Sequence, residues 1–127
     1  MENAKEPRPY GEWRADKFGH EEDAAHTFGS HLIRYCRDEV LANLPKETTE
    51  NEKAKIKEAI HESLHNVMDL LEGFWPLESG EDHSIEYVLQ VVVKDNTRKE
   101  VEKIDISPCK LDLPIGFWGW ALDGEFR

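Results

Sequence analysis

"IEYVLQVVVK", residues 85–94, is where the hydrophobic period of the chain changes. Ile85, Tyr87, Leu89, Val91 and Val93 fall on one side of an extended chain, and Glu86, Val88, Gln90, Val92 and Lys94 on the other. A period of two, rich in β-branched residues, predicts a strand with one face buried and the other half covered. "KDNTRKE", residues 94–100, reads as a hairpin connection. Residues 101–106 then return as a second strand, stopped by Ser107-Pro108.

Upstream the period is helical. Between residues 21 and 44, Ala25, Phe28, Leu32 and Cys36 recur at spacings of three and four. Ile33, Val40 and Leu44 widen that stripe, Gly29 weakens it locally, and Pro45 closes the helix. A second helix begins at Thr49-Glu50-Asn51-Glu52, a capping box in which the Thr hydroxyl and the Glu carboxylate satisfy each other's backbone amides. Its core stripe is expected to be Ile56, Ile60, Leu64, Val67 and Leu71, with Met68 beside it. Gly73 and Trp75-Pro76 stop it. Two striped helices with a short link should form an antiparallel hairpin.

Residues 1–20 read as an irregular N-terminal arm tied down by Tyr10, Trp13 and Phe18, and residues 21–127 as one domain. In the tail, "LPIGFWGWALDGEFR" alternates Trp118, Trp120 and Leu122 against Phe117, Gly119 and Ala121. That alternation fits either a third short strand or a loop laid over the sheet. The expected fold is therefore α+β: an antiparallel two-helix hairpin packed on a small antiparallel sheet of two or three strands, with the strands C-terminal to the helices.

With 127 residues the chain can bury one modest core. No apolar run approaches the ~20 residues that cross a bilayer, and "MENAKEPRPY" lacks the apolar stretch of a signal peptide. Cys36 and Cys109 stand apart from any other Cys or His cluster. They are read as free thiols, one in the core and one in a turn, in a reducing cytoplasm.

The formal net charge is −11, and it is localised. Residues 58–93 contain no Lys or Arg but hold Glu58, Glu62, Asp69, Glu72, Glu78, Glu81, Asp82 and Glu86, while the rest of the chain is nearly balanced. Such a segment repels nucleic acid, whose binding requires clustered cations. It favours solubility, a cation, or a basic partner protein.

"HESLH", residues 61–65, carries the sharpest chemical signal. On a helix His61 and His65 share a face and could present two imidazoles to one Zn²⁺, with Glu62 as general base. In this pentapeptide the chain resembles the zincin metalloproteases. Beyond it, Met68 and Leu71 stand where the extended metzincin motif has glycine and histidine, and the strands follow the helix instead of preceding it. Asp69, Glu72 and His83 are the remaining candidate donors. Packing of both histidines beside the core stripe is the expected state, with no cofactor.

The sequence favours a small acidic, non-enzymatic protein-interaction domain, and its charge suggests a basic protein partner. It is similar in general character, though in no motif, to the immunity proteins that inhibit basic bacterial toxins. Glu78, Glu81 and Asp82, with Trp118 and Trp120 of the aromatic tail, are the candidate partner-binding residues. A zinc-dependent hydrolase built on His61, Glu62 and His65 is the alternative, and a structural or regulatory homodimer the second alternative.

Overall fold

A computed structural model describes residues 6–75 and 77–126. Residues 1–5 of the expected arm, Pro76 of the expected helix stop, and Arg127 lie outside the described residues. The architecture is α+β, with a two-stranded antiparallel sheet C-terminal to two long helical segments. No helix among the described residues is long and apolar enough to cross a membrane.

Helix α1 (Lys17–Ile33) starts earlier than the apolar period suggests, because the Asp16 carboxylate accepts from the Gly19 amide as N-cap. A single π-helical stretch, Arg34–Asp38, carries α1 into the short α2 (Glu39–Ala42). The arm before α1 is anchored by charge as well as by rings. Asp23, buried on α1, accepts from the Arg14 amide at 2.7 Å and from its Nη2 at 2.9 Å. Burial alone would raise this carboxyl's pKa, but the Arg14 hydrogen bonds hold it below the usual value.

Helix α3 (Glu50–Leu71) begins with the expected capping box: Glu52 N–H donates to Thr49 Oγ1 at 3.1 Å, and Thr49 N–H to Glu52 Oε1 at 2.9 Å. It ends as expected, with Gly73 at φ +73°. Its inward face overlaps the expected one, with Ile56 and Ile60 half-buried, but is rotated. His61 and Met68 are its buried residues, Leu64 and Leu71 are half-buried, and Val67 is exposed. The packed face is turned from Ile60 and Val67 toward the two histidines.

The cause is the tail. Residues 113–123 are neither strand nor loop: α4 (Leu113–Trp118) runs into a π-helical turn, Gly119–Asp123. The Asp112 carboxylate caps α4 by accepting from the Ile115 amide, and Pro114 sits in its first turn, where no N–H is required. This helix packs on α3 while its terminal turn packs on α1. A third helical element thus joins the expected hairpin. Leu113, Phe117, Trp120 and Ala121, at helical spacing, meet Ala24, Ala25, Ile33 and Met68 in the core.

Strand β1 (Gln90–Lys94) pairs with β2 (Glu100–Asp105), with Val91 opposite Ile104 and Val93 opposite Glu102. The sheet packs against α1, with Ile104 and Ile106 fully in the core and Leu89, Val91 and Val93 against it. The expected strand over 85–94 is therefore only half formed as ladder, and Ile85 and Tyr87 are exposed instead of buried. Cys36, expected in the core, is also exposed, on the π-helical stretch. Both cysteines are free thiols.

Candidate partner interface

The HESLH histidines lie between α3 and the aromatic end of α4. Rings of His61 and His65 meet Phe117 edge-on, with centroids 6.0 and 5.9 Å away. His65 also stacks on Trp118 at 5.0 Å and 30°. Arg37 Nη1 lies 3.1 Å from His61 Nε2 and donates to the Ala121 carbonyl at 2.8 Å. A guanidinium can only donate, so His61 Nε2 accepts and its proton resides on Nδ1. Burial first, then the Arg37 charge, lowers the His61 pKa and keeps the ring neutral. Arg37 thereby joins the first helical run, α3 and the C-terminal turn through one side chain.

For a metal, this arrangement offers little. The His61 lone pair is engaged, a fixed cation stands beside it, and Glu62 is exposed. His65 Nδ1 has Asp69 Oδ2 at 3.6 Å. Among the described residues, no three His, Cys, Asp or Glu side chains converge as metal ligands.

The two tail tryptophans part company. Trp118 is 39% exposed and Trp120 only 2%. Trp120 is thus a core residue and cannot contribute to an exposed aromatic patch. Its indole N–H donates to His26 Nδ1 at 3.1 Å, and burial lowers the pKa of His26, keeping that acceptor available. The indole face rests on Gly29, where a Cβ would overlap its Cδ2 and Cε2. Gly29 is the close-approach point of α1, not a weakness in it.

Glu78, Glu81 and Asp82 project from a small turn-back of chain after α3. The Ile85 amide donates to the Leu77 carbonyl at 2.6 Å, the Ser79 amide to the His83 carbonyl at 2.9 Å, and Glu78 bridges Ser84 antiparallel. This holds the three carboxylates at the solvent side, where they are exposed. Further on, Ile106 N–H donates to the Leu89 carbonyl at 2.9 Å, and Leu89 N–H to Ser107 Oγ at 3.1 Å. Between these two paired ends, the backbones of Glu86, Tyr87 and Val88 have no hydrogen-bond partner among the described residues. The β1–β2 register would set Tyr87 opposite Pro108, which has no N–H to give.

Around this gap the surface is both apolar and acidic. Phe74, Trp75, Ile85, Tyr87 and Val88 are exposed. Glu78, Glu81, Asp82 and Glu86 make no ion pair or side-chain hydrogen bond among the described residues. A cleft of about 340 Å³ lies beneath Tyr87 and Ile85, floored by Leu71 and Leu77. A second, of about 590 Å³, is lined by Phe18, His26, Phe74, Ile115 and Trp120. Both are bordered by Glu72 and Cys109. Glu72 Oε2 accepts from the Cys109 amide at 3.4 Å, its Oε1 is buried without a hydrogen-bond partner, and burial raises its pKa.

Sequence reasoning placed the acidic residues here but missed Phe74, Trp75 and Tyr87 as surface aromatics. The signal for Tyr87 was Pro108: a proline opposite a strand ends its ladder. Nothing in the sequence points to Arg37 as the residue that engages His61. No protein-family model, curated protein or solved structure matches this chain.

Proposed function

We propose that the protein is a non-enzymatic interaction domain of the cytoplasm that docks a basic protein partner on the face formed by Phe74, Trp75 and residues 77–88. The observation that carries this reading is the coincidence of exposed Phe74, Trp75 and Tyr87 with the unpaired carboxylates Glu78, Glu81, Asp82 and Glu86. Aromatic side chains left in water are the anchors that interfaces bury, and a rim of one charge sign steers an oppositely charged partner. Glu78, Glu81, Asp82 and Glu86, with no Lys or Arg between residues 58 and 93, also repel one another in the folded state, a cost that a cationic partner would relieve. The same repulsion argues against a homodimer through this face. His61 and His65 serve, in this reading, to pack and orient α4 against α3, with no cofactor bound.

The test is affinity capture from the native lysate at low and high salt. A partner that fits the reading is lost when Glu78, Glu81, Asp82 and Glu86 are changed to the amides. It is retained when an equal charge is removed at Glu12, Glu47, Glu58 and Asp123. It also weakens as the Debye length falls from about 10 Å at 0.1 M salt to about 3 Å at 1 M. A partner bound equally by both variants at both salts would remove this face from the interface.

A further inference from the structure

Glu86, Tyr87 and Val88 lie between the Glu78–Ser84 bridge and strand β1 and belong to neither. The sequence alternation that makes β1 a strand runs through them unchanged, from Ile85 to Val93. Upstream, Ile85 is hydrogen-bonded to Leu77, and downstream Leu89 is bonded to Ile106 and Ser107. In between, Tyr87 has no partner on the edge used by Ile85 and Leu89, Glu86 and Val88 present theirs at the opposite edge without a partner among the described residues, and Ile85, Tyr87 and Val88 are exposed. An unpaired strand segment with apolar side chains is a template for another strand, and proteins ordinarily blunt such edges with Lys or Pro. This one carries neither between residues 77 and 93.

We infer that the partner binds by strand addition: an extended segment of the partner pairs its backbone with Glu86–Val88, and its side chains alternate between apolar and basic. The inference rests on the interaction reading above and specifies its mode. Alternation is required because successive side chains of an added strand point to opposite faces. One set would meet Tyr87, Ile85 and the cleft above Leu71 and Leu77. The other would meet the unpaired carboxylates of Glu86 and of the adjoining turn, Glu78, Glu81 and Asp82. Charge complementarity selects a partner segment over a second copy of this chain, which would bring the same four carboxylates against themselves.

The probe is a short synthetic peptide alternating lysine and valine, compared with the same peptide N-methylated on alternate amides. N-methylation removes backbone donors and keeps every charge and side chain. Binding is read by NMR titration, with hydrogen exchange of the Glu86, Tyr87 and Val88 amides followed in parallel. The parent peptide should bind, slow exchange at the Glu86 and Val88 amides, which share one edge, more than at Tyr87, and lose about tenfold in affinity on N-methylation, as expected for two lost hydrogen bonds. Val88→Pro should reproduce the loss, with Val88→Thr, which keeps the N–H, as the control for a merely structural effect. Equal binding of both peptides would overturn strand addition and leave the acidic interface standing. No binding of either peptide at low salt would overturn both. Protection of the same amides that grows with protein concentration alone would identify a second copy as the occupant and overturn the partner-segment inference.

Discussion

Trp120 and Trp75 occupy opposite situations in the same fold. Trp120 is 2% exposed, seated on a glycine, with its N–H satisfied by His26; Trp75 is 45% exposed at the mouth of an open cleft. The difference lies in what the sequence supplies around each ring. Near Trp120, Gly29 of α1 takes the indole face while His26 and Phe28 meet the ring edge-on. Near Trp75, the chain supplies carboxylates and an interrupted ladder. One ring is closed in by its own chain, and the other is left open to water.

The strongest way to break this contrast is to truncate the two rings. Trp120→Ala should cost about 3–5 kcal/mol, since it removes a large buried ring and leaves a void. Trp75→Ala should cost clearly less. Equal shifts in urea midpoint would mean that Trp75 is as much a core residue as Trp120. Gly29→Ala attacks the Trp120 seat from the other side and should cost about 1–3 kcal/mol by overpacking, because the new Cβ would overlap the indole and force the ring or α1 to shift. A Gly29→Ala protein of unchanged midpoint would show that the ring is not held there.

Proton uptake sharpens the contrast at smaller amplitude. His26 and His61 have lowered pKa values in the fold, chiefly through burial. Their contribution is complete above the unfolded value of about 6.5 and is lost as pH falls through the lower folded values. His20 behaves oppositely. Its hydrogen bond to Glu102, at 2.7 Å, raises its pKa, so that contribution is complete below about 6.5 and is lost as pH rises through the folded value. Unfolding midpoints across pH should fall less steeply on the acid side for His61→Gln than for the parent, and less steeply on the alkaline side for His20→Gln. An unaltered acid limb in His61→Gln would contradict the burial of that ring.

The smallest stability effect belongs to the acidic turn. Changing Glu78, Glu81, Asp82 and Glu86 to amides should leave stability within about 0.5 kcal/mol per site, or raise it, because no structural contact is lost and repulsion is relieved. A large loss would show that these carboxylates are structural.

The parts of this fold legible in the sequence are those set by local chemistry. The capping box at Thr49–Glu52, the Gly73 stop, and the paired core of the hairpin at 90–105 follow from residues adjacent in the chain. The C-terminal helix does not announce itself so openly. Trp118 and Trp120 suggest a period of two, and two glycines and a proline argue against helix. Yet Leu113, Phe117, Trp120 and Ala121 already stand at helical spacing behind an Asp-x-Pro start. That misread helix accounts for the rest. Without it, the buried face of α3 centres on Ile60 and Val67; with Phe117 and Trp118 against it, His61, His65 and Met68 turn inward. In the candidate interface, the acids are legible from charge alone, whereas the broken ladder depends on which residue faces Tyr87.

The seat of Trp120 on Gly29 also has a consequence in time. The two residues are far apart in sequence, and Leu113, Phe117 and Ala121 join the core from the same late segment. At roughly 5–20 residues per second, translation delivers α1 several seconds before the ring that closes it. During that interval Ala24, Ala25 and Ile33 lack the Leu113, Phe117, Trp120 and Ala121 contacts that complete their core. Contacts this distant in sequence also slow refolding, because loop closure precedes the gain from burial. The newly made chain therefore completes this part of its core only once residues 113–121 have been made, whereas Tyr87 and its neighbours stay exposed in the finished protein.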